Sequence, residues 1–139
     1  MVLFDCPPRL SASSVNALAC SDYYLIPSRT ERESREAIGR LITWIEKLRE
    51  ADVTVAKLLG VVANHVRYFG SNIQAVEVDN LDLLEGLAKE NDSKVFDAKI
   101  PYFKNLNDLD RGDLIYYHNE SAKEAFDELS ANLIKQADL

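Results

Sequence analysis

Short apolar runs alternate with longer amphipathic stretches along the whole of this chain. Val2 to Phe4 predicts a short buried strand ending at Asp5, and Pro7 and Pro8 forbid its continuation because proline brings no ladder donor. Ser11 to Cys20 suits a short helix, with Val15, Leu18 and Ala19 at helical spacing. Tyr23 to Ile26 predicts a second strand, stopped by Pro27. Beyond it Ile38, Leu41, Ile42, Ile45 and Leu48 form the stripe of a helix with one face in the core, and Trp44 borders that stripe. Leu58 to Ala63 is continuously apolar, as in a strand covered on both faces. A helix running to about Lys89 follows, then weaker strand signals at Val95–Phe96 and Ala98–Ile100, ended by Pro101. Leu106 to Leu109 predicts one helical turn, Gly112 a turn, and Tyr116–His118 reads as packed strand rather than as an aromatic platform for nucleic acid. A closing helix carries Ala122, Phe126, Leu129 and Leu133 on one face.

Three helix starts are marked by a hydroxyl followed three residues later by a carboxylate or amide: Thr30–Glu33, Ser71–Gln74 and Ser121–Glu124. In that arrangement two side chains satisfy orphan amides of the first turn. Strands alternating with amphipathic helices predict an α/β fold, three-layer α/β/α with a mostly parallel sheet. No internal repeat or linker interrupts it, so residues 1–139 are expected to form a single domain.

Charge narrows the choice of partners. The net charge of −7 argues against a free-standing nucleic-acid binder, which needs a basic surface to neutralise phosphates. The densest basic cluster is Arg29, Arg32, Arg35 and Arg40, but Glu31 and Glu36 stand four residues before Arg35 and Arg40, the favourable order for helical ion pairs. No apolar run approaches the roughly 20 residues that cross a bilayer. The closing helix carries only Lys123 and Lys135, too few for a basic membrane-anchoring face, so no membrane contact is expected. Met1–Asp5 has no basic region of a signal peptide, which makes a cytoplasmic location the default expectation. Cys6 and Cys20 form no CxxC pair, and with only His65 and His118 to join them a zinc site is not expected.

The stretch FDCPPRL, residues 4–10, is the richest in chemistry. An aspartate at the carboxyl end of a buried strand sits where open α/β sheets bind ligands, and Asp5 can there hold a magnesium ion directly or through its waters. Alternatively, Asp5 caps a helix beginning near Leu10.

From Phe4 to Ser34 the sequence FDCPPRLSASSVNALACSDYYLIPSRTERES resembles the Walker B region of the ParA/Soj/MinD family of P-loop ATPases. The matching positions are Asp5, Pro7, Pro8, Asn16, Ala17, Leu18, Asp22, Ile26, Pro27, Glu31 and Ser34, in order and at family spacing. Beyond residue 50 the likeness is weaker: GVVANHVR, residues 60–67, holds the place of a strand whose end borders the adenine, and Ile100–Pro101 matches a later I-P at the same edge.

The resemblance implies a partial P-loop NTPase fold, the C-terminal half of such an ATPase, with Asp5 toward magnesium and Asn64 and Pro101 toward the base. Asn64 reads equally as a strand-end cap, and Asn16 as a structural hydrogen-bonding residue. Implied with the family are ATP and Mg2+, a role in plasmid or chromosome partitioning or positioning, a ParB-like partner and non-specific DNA. The chain departs from the family in two ways. The phosphate-binding K-G-G-x-G-K-[ST] loop does not occur in these residues, and Tyr102 follows Pro101 where chromosomal ParA proteins usually carry arginine. The expectation is therefore that the chain alone neither binds nor hydrolyses ATP and that it pairs with an N-terminal half or with itself. The alternative is a truncated, non-catalytic interaction module.

Overall fold

A computed structural model describes residues 1–7, 11–103 and 114–138. The sequence readings at Pro8, at Leu10, over Leu106–Leu109 and at Gly112 lie outside the described residues.

Three strands form one parallel sheet in the order β1 (Tyr23–Arg29), β2 (Lys57–Val66), β5 (Ile100–Pro101). Before β1 comes α1 (Ala12–Ala19), capped by the Ser11 side chain, which accepts from the Ser14 amide. Helix α2 (Arg32–Glu50) makes the crossover from β1 to β2. The route to β5 passes through a small antiparallel hairpin, β3 (Tyr68–Phe69) and β4 (Asn72–Ile73), and then helix α3 (Ala75–Glu90). A single turn, α4 (Ile115–His118), and helix α5 (Glu120–Gln136) close the chain.

Central strand β2 shows why the fold has three layers. Its side chains alternate between faces, as the twofold period of a strand requires. On one face Val61 joins Ile26 with Ile38 and Ile42 of α2 and Leu84 and Ala88 of α3. On the other, Val62 packs with Phe96, Ile100 and Ala125 of α5, flanked by Phe126, Leu129 and Leu133. Each large side chain buried this way stabilises the fold by about 1.5–3 kcal/mol. The α/β/α layering is thus the one expected from the sequence, and the helical stripes of α2 and α5 are the ones that cover the sheet.

Gly60 has a packing role. A Cβ placed there would lie 2.2 Å from the ring of Phe96, which is fully buried. The Phe96 amide donates to Val61 and the Val61 amide to Lys94, both at 2.9 Å, so this segment runs hydrogen-bonded along β2. Thr54 ties α1 to the loop before β2: its hydroxyl donates to the Leu18 carbonyl at 2.6 Å and accepts from the Ala56 amide at 3.1 Å.

Several local expectations are overturned. Val2, Leu3 and Phe4 form no strand; they are 76%, 78% and 53% exposed, with no strand beside them among the described residues. Pro27 lies inside β1 rather than ending it, which an edge strand allows because one side carries no ladder. Pro101 likewise sits within β5, beside Val66. None of the three capping boxes forms. Helix α2 starts after Glu31 with no side-chain cap, since the Thr30 hydroxyl is engaged elsewhere. Ser71 falls in the hairpin turn, and α3 starts after Gln74, also without a side-chain cap. Helix α5 is capped by Asn119, whose side chain accepts from the Ala122 amide at 2.9 Å. Tyr116–His118 is helical, and the Tyr116 hydroxyl donates to Asp127 on α5 at 2.7 Å. Of the two ion pairs expected on α2, Glu36–Arg40 forms at 3.9 Å, while Glu31 pairs with Arg29 at 3.5 Å.

Candidate functional site

The carboxyl ends of β1, β2 and β5 point to one end of the sheet, where parallel α/β sheets take their ligands. There Arg29 lies beside Asn64 and Asn64 beside Ile100, and further on Val66 lies beside Pro101. Between those two rows β2 advances two residues while β5 advances one. His65 is the extra residue, making a β-bulge of the kind that re-aims backbone next to binding sites.

His65 has φ 62°, in the left-handed region that histidine enters more readily than most side chains. The bulge is held from both sides. The Asn64 side-chain oxygen accepts from the His65 amide at 2.9 Å, and the His65 ring meets the Tyr102 ring edge-on, 5.4 Å between centroids. Tyr102 is fixed in turn, its amide donating to the Val66 carbonyl at 2.9 Å.

Next to the bulge opens a cleft of about 450 Å³ lined by Val66, Arg67, Tyr68, Gln74, Pro101 and Tyr102. The hairpin that forms one wall turns at Gly70, φ 63°, and is closed by the Gln74 amide donating to the Arg67 carbonyl at 3.1 Å. Apolar surfaces from Val66, Pro101 and the tyrosine rings are combined with the polar ends of Arg67 and Gln74. This mixture suits a flat heteroaromatic ring.

A second cluster sits at the end of β1. The Thr30 hydroxyl donates to the Glu77 carboxylate, and the Asn80 side-chain amide donates to the Thr30 carbonyl at 2.9 Å. Thr30 and Glu77 are both buried. Glu77 lies in the first turn of α3, where the helix dipole favours a carboxylate. Tyr68 is within electrostatic reach of this cluster: burial raises its phenol pKa first, and the charges of Glu128 and Glu77 raise it further.

The fold therefore places Asn64 and Pro101 on adjacent strands, with Pro101 lining the cleft and the Asn64 side chain accepting from the His65 amide. Asp5 lies in the exposed N-terminal segment, with no hydrogen bond or ion pair to either among the described residues. Sequence reasoning missed Arg67, Tyr68, Gln74 and Tyr102, which line the cleft, and Glu77 behind it. The available signal was the polar pair Asn64–His65 following the continuous apolar run Leu58–Ala63. Among the described residues no three His, Cys, Asp or Glu side chains gather as a metal site.

Comparison with known proteins agrees with this picture of an open α/β sheet. Residues 1–58 match the family described as an AAA domain. The chromosome-partitioning ATPase Soj of Thermus thermophilus is 30% identical over 79 residues, covering 57% of this chain and 31% of Soj. The chromosome partitioning protein ParA of Caulobacter vibrioides is 30% identical over 100 residues, covering 72% of this chain and 35% of ParA.

The chain is similar to ParA-type ATPases.

It spans about a third of the length of these curated ParA-type relatives. The ParA likeness extends to solved structures. Apo McdA of Cyanothece superposes with a TM-score of 0.73 over 86% of this chain and 47% of McdA, at 16% identity. A McdA variant in complex with ATP gives 0.72 over 88% of this chain and 45% of McdA, at 14% identity. At such identities what is shared is the fold.

Proposed function

We propose that these 139 residues are the C-terminal portion of a ParA-like ATPase domain of the partitioning or positioning type, and that the cleft beside the His65 bulge receives the adenine base. The observation that carries this reading is the register placing Asn64 and Pro101 on adjacent parallel strands at their carboxyl ends, with the cleft opening beside them. The base would lie against Pro101 and Tyr102, and Asn64 would hold the bulge that sets the cleft's edge. ATP with its magnesium supplies the phosphoryl group that is hydrolysed. Asp5 is the residue of this chain that would hold the metal, once a phosphate-binding loop joined to it presents the nucleotide. Catalysis, cytoplasmic location, a ParB-like partner and non-specific DNA belong to the longer protein under this reading.

The test compares ligands on the chain itself. Titration with adenosine and with ATP–Mg, followed by amide chemical shifts, should move the resonances of Val66, Tyr68 and Tyr102. Both ligands should bind equally weakly, at about millimolar, because the backbone amides that normally cradle phosphates are missing from this sequence. Low-micromolar ATP–Mg binding, or shifts confined to residues away from the cleft, would sink the reading. In a protein joining this chain to a phosphate loop, Asp5→Ala should abolish hydrolysis; undiminished turnover would remove the magnesium role.

The second reading, a non-catalytic interaction module, draws on the exposed apolar residues Val2, Leu3 and Phe4 and on the outer edge of β1, which has no strand beside it among the described residues.

A further inference from the structure

On the reading of the cleft as a base site, we infer that Gln74 is the residue that reads the edge of the base, its carboxamide meeting the amino group of an aminopurine and the ring nitrogen beside it. Of the residues that line the cleft, Val66, Pro101, Tyr68 and Tyr102 present apolar surface or ring faces. Such surfaces hold any flat ring and do not tell one base from another. The Arg67 guanidinium brings donors alone, and each tyrosine hydroxyl offers donor and acceptor at a single atom. Among the lining residues Gln74 alone presents a donor and an acceptor side by side, the arrangement that bonds the adenine amino group and its neighbouring ring nitrogen together. Asn64, the other carboxamide nearby, already accepts from the His65 amide.

The backbone holds Gln74 in place and leaves its side chain to a ligand. The residue stands between β4 and α3, with φ −61° and ψ 140°. Its amide donates to the Arg67 carbonyl at 3.1 Å, while its carbonyl accepts from the Glu77 amide at 2.9 Å and the Val78 amide at 3.2 Å. The first turn of α3 thus finds its acceptor in that carbonyl, and the Gln74 side chain makes no capping bond. Its carboxamide has no hydrogen bond to another described residue.

The experiment uses the full chain and two ligands, adenosine and purine riboside, which lacks the amino group. Both should move the amide resonances of Val66, Tyr68 and Tyr102. Adenosine should bind about fivefold more tightly, a preference of about one hydrogen bond. In Gln74→Met, which keeps the length and removes both polar atoms, the two ligands should bind alike. Gln74→Glu, which keeps an acceptor for the amino group, should still prefer adenosine. The Gln74 side chain is exposed, so thermal unfolding should be unchanged in both variants. Equal affinities in the parent chain, a preference that survives in Gln74→Met, or one lost in both variants would overturn the assignment of Gln74 and leave the base site standing. If neither ligand moves the cleft amides, the base site itself falls, and the role of Gln74 with it.

Discussion

The hydroxyl of Thr30 donates to the carboxylate of Glu77, joining the end of β1 to the first turn of α3 across 47 residues of sequence. Both side chains are buried, so removing the donor leaves a carboxylate in the interior without this partner. Thr30→Val should lower stability by about 1.5–3 kcal/mol, the usual range for a hydrogen bond to a charged group. Glu77→Gln, which keeps an acceptor oxygen, should cost less. Urea unfolding of the two variants checks the order; equal midpoints for Thr30→Val and the parent chain would show that the bond contributes nothing.

That bond also shows where local sequence rules stopped working. Thr30 and Glu33 have the spacing of a capping box, but a hydroxyl satisfied by Glu77 is not available to the amides of α2. Ser71 falls in the hairpin, and the cap expected at Ser121 is supplied by Asn119 two residues earlier. What was legible depended on side chains that face the core: the Ile38, Ile42, Ile45 stripe and the apolar run of β2 predicted their elements and the layers they build. Val2 to Phe4 has the same apolar character without becoming a strand, because a strand is made by its neighbour and the described residues supply none. Near the cleft, the resemblance drew attention to Asn64 and Pro101, which stand on adjacent strands. The bulge between their rows was not legible, since it exists only in the pairing of β2 with β5.

His65 offers a test of that bulge. Its left-handed backbone disfavours a β-branched side chain and suits glycine. His65→Val should destabilise the chain by about 1–3 kcal/mol, the cost of holding such a residue in a sparsely populated conformation. His65→Gly should preserve the fold while removing the ring contact to Tyr102. Thermal unfolding gives the stabilities, and the amide shift of Tyr102 reports the lost contact. Indistinguishable melting of the Val and Gly variants would argue that the bulge relaxes freely.

Gly60 and Phe96 form a pair whose sizes are matched. Gly60→Ala drives a methyl into the buried ring and should cost about 1–3 kcal/mol, the usual range for overpacking. Combining it with Phe96→Leu should cost less than the sum of the single changes, because the second substitution vacates part of the space. Denaturant unfolding of all four combinations measures the coupling; strict additivity would mean that the two positions do not touch.

The phenol of Tyr24 is pushed up to about 12, first by burial and then by the charge of Glu46, with Arg49 acting in the opposite direction. Since the folded chain holds this proton more tightly than the unfolded chain, the associated stability is fully present below about pH 10 and is lost as pH rises toward 12. Tyr24→Phe should therefore fall off less steeply with alkaline pH than the parent chain. Unfolding free energies measured across that interval test it; parallel curves would show that Tyr24 ionises as freely folded as unfolded.

Strand β2 carries β1 on one side and β5 on the other, and the side chains of its middle stretch are covered on both faces. Opening it to solvent therefore requires separating both neighbours and lifting away the helices, which amounts to undoing the whole assembly rather than fraying one edge. The amide protons of Val61, Val62 and Ala63 should in consequence be the last to exchange with deuterated water, at a rate set by global unfolding. Those of α1 should exchange through smaller openings, since Thr54 is the side chain that fastens its end to the loop before β2.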